Sequence, residues 1–296
     1  MTPGIKLLKF FFDEAGDQVG DQKTGTSSGV GLSTAIQLAQ VGFTVIATMR
    51  HTTKAGSLQI RAREADVKVE VCQLDVQDDA SVANCVQEVL KSYERIDLLV
   101  NNAGAGYLGS LEQTSIEDLR RTMETNFFGV WRVTRAILPS MRAARSGRII
   151  TVTSIGGLVG QPFNDAYCAA KFAVEGFMES LAPVAKRLGI EVALIEPGAI
   201  NTEFVGSVQV SMARSTQEIP EEYAPMFESY LNMTQQVFAS VGQTPDEVAQ
   251  IIVEAATTAT PHFRYTTSEV VHGLVSRKYV DPTGDSIIAL TGARLP

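Results

Sequence analysis

Tyr167 and Lys171 stand one helical turn apart in Tyr167-Cys168-Ala169-Ala170-Lys171, so on a helix their side chains share a face. An ammonium beside a phenol favours the phenolate. Such a tyrosine can give and take a proton near neutral pH. The same spacing also describes a plain surface Tyr–Lys pair. Ser154 follows the β-branched run GRIITVT, thirteen residues before Tyr167.

A second group of residues is suited to phosphate. Thr24-Gly25-Thr26-Ser27-Ser28-Gly29-Val30-Gly31 leads into the helical pattern LSTAIQLAQ. Glycines let the backbone turn tightly and approach a pyrophosphate, and a helix N-terminus offers free N–H groups. Ordinary turns are also rich in Gly and Ser. The next apolar run ends in Thr48-Met49-Arg50, where NAD enzymes usually carry an acid for the adenosine ribose. Arg50 instead suits a 2′-phosphate, which a guanidinium grips with two parallel hydrogen bonds, and Ser28 adds a hydroxyl. This favours NADP(H), although a solvated Arg at a strand end has the same sequence. Asn101-Asn102-Ala103-Gly104 follows the run IDLLV, at a strand's carboxyl end where ligands bind. Asp75 is either an adenine contact or a simple strand-end acid.

The elements that must position these residues alternate along the chain. Phe43–Met49, Val67–Val76, Ile96–Val100, Gly147–Thr153 and Glu191–Ile195 read as buried strands. Between them lie helical patterns, such as Ser81–Tyr93 with apolar residues recurring at three and four. Ile116–Arg145 reads as one long core-facing helix with Pro139 near its end. Alternation with nearly continuous apolar strands implies an α/β fold, a parallel sheet with helices on both faces. No linker divides the chain, so one domain is expected. Thr202–Val241 departs from the alternation as a helical excursion, placed as a lid over the carboxyl ends of the strands.

Composition removes several functions. The 296 residues carry a formal net charge of −8, which lacks the basic footprint of a nucleic-acid binder. Cys72, Cys85 and Cys168 form no disulfide framework and no CxxC knuckle, and His51, His262 and His272 have no metal-ligand spacing. A metal-free, reduced, cytoplasmic protein is the expectation. No apolar run approaches the ~18 residues of a membrane span. In Leu7-Leu8-Lys9-Phe10-Phe11-Phe12, Lys9 interrupts the run, which makes a poor signal peptide.

Taken together, TGTSSGVG, NNAG, Asn126, Ser154, the Tyr167/Lys171 motif and Pro197-Gly198 resemble the short-chain dehydrogenase/reductases over about residues 24–296. The stretch GGLVGQPFNDAYCAAKFAVEGFMESLA, Ala47–Arg50 and Tyr279–Gly284 resemble its hydroxysteroid and retinol dehydrogenase branch. The resemblance implies a Rossmann-like, doubly wound parallel sheet, NADP(H), and a small lipophilic alcohol or carbonyl substrate. A homo-oligomer, dimer or tetramer, is expected with it. Tyr167 would protonate the carbonyl oxygen, and Ser154 would hydrogen-bond it. Lys171 would hold the nicotinamide ribose and depress the Tyr167 pKa. Asn126 would position a relay water, while Pro197, Gly198 and Thr202 would flank the nicotinamide. Thr24, Gly25, Ser27, Ser28, Gly29, Val30, Gly31, Arg50, Asp75, Asn102, Ala103 and Gly104 would line the rest of the cofactor.

Two departures stand against the family pattern. A central strand should run straight into the glycine loop, yet Gln18–Lys23 offers only Val19 as a β-branched residue. Residues 1–23 are therefore an atypical segment, and a longer connecting loop or an altered start both remain open. In the lid, Met233 takes the place of a polar His expected to recognise a phenolic steroid. Met226, Phe227 and Met233 suit a general lipophilic ligand, or equally helix packing. A catalytically impaired cofactor-binding protein is the alternative function.

Overall fold

The computed structural model describes residues 29–201, 219–281, 283 and 285–293. Val45–Met49 (β1) and Leu98–Asn101 (β3) are buried at every residue, as strands covered on both faces must be. β1 pairs in parallel with Val69–Gln73 (β2), Val45 opposite Val69 and Met49 opposite Gln73. β3 begins a second parallel run with Gly147–Val152 (β4), Ile190–Glu196 (β5) and Arg264–Thr266 (β6), in that order.

Two helical layers cover these strands. On one face Asp79–Tyr93 (α3), Gly129–Ala144 (α5) and Asp165–Arg187 (α6) bury Val86, Ile137 and Val174 against Leu99, Ile149 and Leu194. On the other, Gly29–Gln40 (α1), Gly56–Glu64 (α2) and a helix at Pro245–Thr257 bury Ile36, Leu58 and Ile252. That second core takes in Ala47 and Met49 of β1 and Leu98 and Val100 of β3, so both strand groups share it. Local chemistry sets the helix ends. The Asp78 side chain accepts from the Ala80 and Ser81 N–H groups and starts α3. Thr244 and Glu247 form a reciprocal capping box ahead of Pro245.

The helix expected over 116–145 is present but not uniform. Ile116–Met123 (α4) passes through a π turn at Glu124–Phe128 before α5 begins. At Gly129 a Cβ would come within 2.9 Å of the Val76 side chain, so α5 meets the loop after β2 at a glycine. The expected strand over 67–76 is regular only across Val69–Gln73, and β6 was not anticipated. The described part of the excursion contains the helix Ala224–Val241 (α7); Pro245–Thr257 is then α8, with Glu269–Val280 (α9) and Asp285–Gly292 (α10) after it. No helix among the described residues is long and apolar enough to cross a membrane.

The central strand expected before Thr24 lies outside the described residues, as do residues 202–218 of the expected lid. The expectation that Gln18–Lys23 is too polar for a central strand carries its own test. Replacing residues 18–23 with Val-Val-Leu-Ile-Thr-Val should raise the melting temperature by about 5 °C or more, given ~1.5–3 kcal/mol per buried aliphatic. An unchanged Tm would show that the native segment already serves as well.

Candidate active site

Because β3, β4 and β5 are parallel, their carboxyl ends open onto one edge of the sheet. Three turns meet there: Asn101–Gly104 after β3, Thr153-Ser154 after β4 and Pro197-Gly198 after β5. The Ile155 N–H donates to Pro197 O at 2.8 Å and ties the last two turns together. Asn101 anchors the first, its Nδ2 donating to Thr134 Oγ1 at 3.2 Å and Thr151 Oγ1 at 3.1 Å.

α6 brings Tyr167 and Lys171 to this edge, one turn apart on one face as their spacing requires. Ser154 caps a short 3₁₀ turn, Ile155–Gly157, and its Oγ accepts from the Gly156 N–H at 3.0 Å. A Cβ at Gly156 would sit 3.1 Å from Tyr167 Cε1 and 3.4 Å from Ser154 Oγ, so this glycine lets the tyrosine ring close on the serine turn. Ser154 also hydrogen-bonds the Tyr167 phenol.

Asn126 lies in the π turn and is fully buried. Its Nδ2 donates to Thr122 O and Ala105 O, both at 3.0 Å, and its Oδ1 accepts from the Ala105 N–H at 3.1 Å. The π turn thus fixes the amide against the loop after β3, a use such irregular turns often have at functional sites. A Cβ at Gly104 would stand 3.0 Å from Asn126 Oδ1 and 3.3 Å from Lys171 Nζ. The amide and the ammonium therefore converge over a residue that has no side chain.

Lys171 is only 4% exposed, and its Nζ donates to Val152 O at 3.3 Å. Burial pushes its pKa down to about 8, partly opposed by the Glu175 carboxylate one turn further along α6. Burial pushes the Tyr167 phenol well above its usual value, with the Ser154 hydrogen bond pulling the other way. The Lys171 ammonium stands 5.8 Å from the Tyr167 ring centroid.

Behind Lys171 lies a charge cluster that the sequence reading missed. Glu175 accepts from Thr153 Oγ1 at 2.5 Å and pairs with Arg264 of β6. Arg264 also donates to Glu196 Oε1 and to Glu179 Oε2, each at 2.7 Å. Burial pushes the Glu196 carboxyl up to about 7, against the Arg264 hydrogen bond. Lys171, Glu175 and Glu179 recur every four residues, so the sequence did hold the signal for one charged helix row. Arg264 lies on a strand of three residues, too short for a period to show.

The cofactor candidates distribute along the same edge and beyond it. Gly29, Val30 and Gly31 form the first turn of α1, with Gly29 at φ 68°, where a side chain would be strained. Arg50 follows β1, and its Nε is buried with no hydrogen-bond partner among the described residues, a donor suited to an anionic oxygen. Asp75 is half-buried after β2; its N–H donates to Ser81 Oγ and its Oδ1 accepts from the Gln77 N–H, both at 2.9 Å. Asn102, Ala103 and Gly104 line the β3 turn, and Pro197 and Gly198 the β5 turn. Thr24, Gly25, Ser27, Ser28 and Thr202 lie outside the described residues.

An apolar cluster stands beside the Tyr167 end of α6. Leu108, Phe163 and Tyr230 form its centre, with Tyr223, Met226, Phe227 and Leu231 against them. Asn164 Nδ2 donates to Tyr230 Oη at 2.8 Å, which pins α7 to the start of α6. Met226 and Phe227 are thus engaged in packing, while Met233 is 38% exposed.

The sequence model of the short chain dehydrogenases matches residues 23–213, and the chain belongs to this family of oxidoreductases acting on CH–OH groups. Bovine retinol dehydrogenase 8 is 41% identical over 267 residues, covering 88% of this chain and 85% of its own length. Human 17-beta-hydroxysteroid dehydrogenase type 1 is 38% identical over 271 residues, covering 90% of this chain and 82% of its own. A solved short-chain dehydrogenase from Streptomyces avermitilis superposes with a TM-score of 0.78 at 27% identity, covering 98% of this chain and 96% of the other.

The buried ammonium gives a prediction with a definite sign. A folded-state pKa of about 8, against 10.5 for an ordinary lysine, means that the unfolded chain binds more protons between those values. Lys171 therefore makes the fold more stable as pH rises through that window. Glu175→Gln removes the carboxylate that favours the ammonium, so the Lys171 titration followed by NMR should move below about 8. An unmoved titration would show that Glu175 does not hold the charge.

Proposed function

We propose that this chain is an NADP(H)-dependent oxidoreductase that interconverts a lipophilic ketone or aldehyde and its alcohol. The observation that carries this reading is a pair of linked contacts: Ser154 and Tyr167 meet over Gly156, Asn126 and Lys171 meet over Gly104, and α6 joins Tyr167 to Lys171 one turn away. A nicotinamide dinucleotide held by these residues would supply or accept the hydride. Tyr167 gives its phenolic proton to the substrate oxygen in reduction and takes it back in oxidation. Ser154, already hydrogen-bonded to that phenol, donates to the same oxygen and offsets the negative charge that develops there. Lys171 presents an ammonium for the ribose hydroxyls and for recharging the phenol. Asn126, held by three hydrogen bonds, fixes the loop after β3, beside which a relay water would sit.

The residues present fit the cofactor. Gly29–Gly31 offers a helix start to phosphate, Arg50 an unpartnered guanidinium nitrogen, and Gly104 a gap that a side chain would fill. The case for the phosphorylated dinucleotide rests on Arg50, whose charged, forked donors match a 2′-phosphate better than a neutral ribose hydroxyl. The lipophilic substrate is supported by relatives named for retinol and for a hydroxysteroid. A homo-oligomer is supported by Phe128, Trp131 and Phe172, aromatic residues 44%, 46% and 39% exposed near and along α5 and α6. A second copy of the chain covering them would remove that apolar surface from water. Three free thiols fit a cytoplasmic setting.

Two substitutions test this reading. Tyr167→Phe should lower turnover of a retinoid or steroid carbonyl on the order of 10²–10⁴-fold and leave NADPH affinity nearly unchanged. Near wild-type reduction by that variant would remove Tyr167 from the chemistry. Arg50→Ala should weaken NADPH by roughly ten- to a hundredfold more than NADH in fluorescence titrations, as loss of a charge-assisted hydrogen bond predicts. Equal losses for both dinucleotides would exclude the 2′-phosphate as the partner of Arg50.

A further inference from the structure

Cys72 and Cys85 are unrelated to the site above, yet the fold brings them together. Cys72 stands on β2, the outer strand of the β1–β2 pair, and Cys85 on the facing side of α3. Their sulfurs are 2.9 Å apart. A disulfide bond is about 2.05 Å long, so closure asks for a shift under about 1 Å. The two differ in access: Cys72 is half-buried, whereas Cys85 is 2% exposed. A solvent-reachable thiol beside a buried one is the arrangement of an attacking and a resolving cysteine.

We propose that Cys72 and Cys85 form a redox modification site, closing to a reversible intrachain disulfide when a peroxide oxidises Cys72. In the first step the Cys72 thiol and hydrogen peroxide give the sulfenic acid and one water. In the second, the Cys85 sulfur attacks Cys72 Sγ, the sulfenic oxygen leaves with the Cys85 proton as a second water, and the S–S bond forms. Peroxide is the two-electron oxidant throughout, and an external dithiol reverses the bond.

The surroundings support this order. The hydrogen bond between the thiols holds the Cys72 pKa below its usual value and pushes Cys85 well above its own. Glu88, whose Oε2 is 3.9 Å from Cys72 Sγ, and burial both oppose ionisation of Cys72 without reversing the direction. Cys168 provides an internal control. It is buried in α6, and burial pushes its pKa up to about 11. The disulfide would close a ring over the loop that carries Asp75, and a cross-link of this span stabilises by restricting the unfolded chain.

The test uses the full chain treated with equimolar hydrogen peroxide, with and without later dithiothreitol. The thiol titre in denaturant should fall from the three free cysteines to one, and dithiothreitol should restore it. Trypsin leaves both residues in one peptide, Val69–Lys91, whose mass should fall by about 2 Da as two hydrogens leave. Cleavage before Asp75, Asp78 and Asp79 should leave the two halves joined. The oxidised protein should melt about 5 °C higher. Cys168→Ser should leave the cross-link and its melting shift unchanged, with the titre falling from two thiols to none, and Cys85→Ser should lose the cross-link. An unchanged titre, a cross-link through Cys168 or between chains, or direct oxidation to sulfinic acid in the wild type would each overturn the proposal.

Discussion

An ammonium buried to 4% exposure at the mouth of a parallel sheet is the constraint around which this molecule is arranged. An isolated buried charge costs several kcal/mol, and the protein answers it in layers rather than with one partner. Val152 O takes one Lys171 proton, and the Glu175 carboxylate opposes the lost solvation from a turn away. That carboxylate is itself buried, so it needs Thr153 and Arg264. Arg264 in turn requires Glu196 and Glu179 to balance it. The chain of compensation joins β4, α6, β5 and β6 by charge as well as by packing. It also explains why a strand of only three residues is kept at the end of the sheet. Its register, Leu194 opposite Arg264, sets the guanidinium beside both buried carboxylates.

The π turn solves a related problem for the amide of Asn126. A regular helix would present that side chain along the same stripe as its neighbours. The extra residue in the turn lets Asn126 satisfy Thr122 O within the helix and both backbone groups of Ala105 outside it. Neither the amide nor the loop after β3 is then free to move independently. Gly104 allows this proximity, since a methyl group there would crowd Asn126 and Lys171 together.

Much of this architecture is legible in the residues, and the gaps have physical causes. The apolar runs at 43–49, 96–100, 147–153 and 191–195 announce buried parallel strands because both faces must be covered. Their positions hold within a few residues. The Tyr167/Lys171 spacing correctly places both side chains on one helix face. The π turn is invisible to a period-3.6 reading, since one added residue leaves the apolar stripe nearly intact. Arg264 is lost because a three-residue strand has no period. The Cys72–Cys85 contact is lost because a strand residue and a helix residue 13 positions apart meet only through tertiary packing. Spacing reveals which charge is near Tyr167 but says nothing about how much water has been removed, and burial raises the phenol's pKa.

The two ends of the proposed cofactor track differ in how completely the protein supplies its own partners. At the Ser154–Lys171 end Lys171, Asn126 and Tyr167 each have a protein hydrogen-bond partner, although Asn101 Oδ1 and Glu196 Oε2 nearby are buried without one among the described residues. Around Arg50 the situation is reversed. Its Nε is buried without a partner, although a buried guanidinium donor left unsatisfied costs free energy. Gln73 beside it is exposed, and only backbone and side-chain turns order Asp75. On the proposed reading, the buried Arg50 donor is where an anionic group would gain most, and Tyr167 and Ser154 would keep one geometry for either dinucleotide.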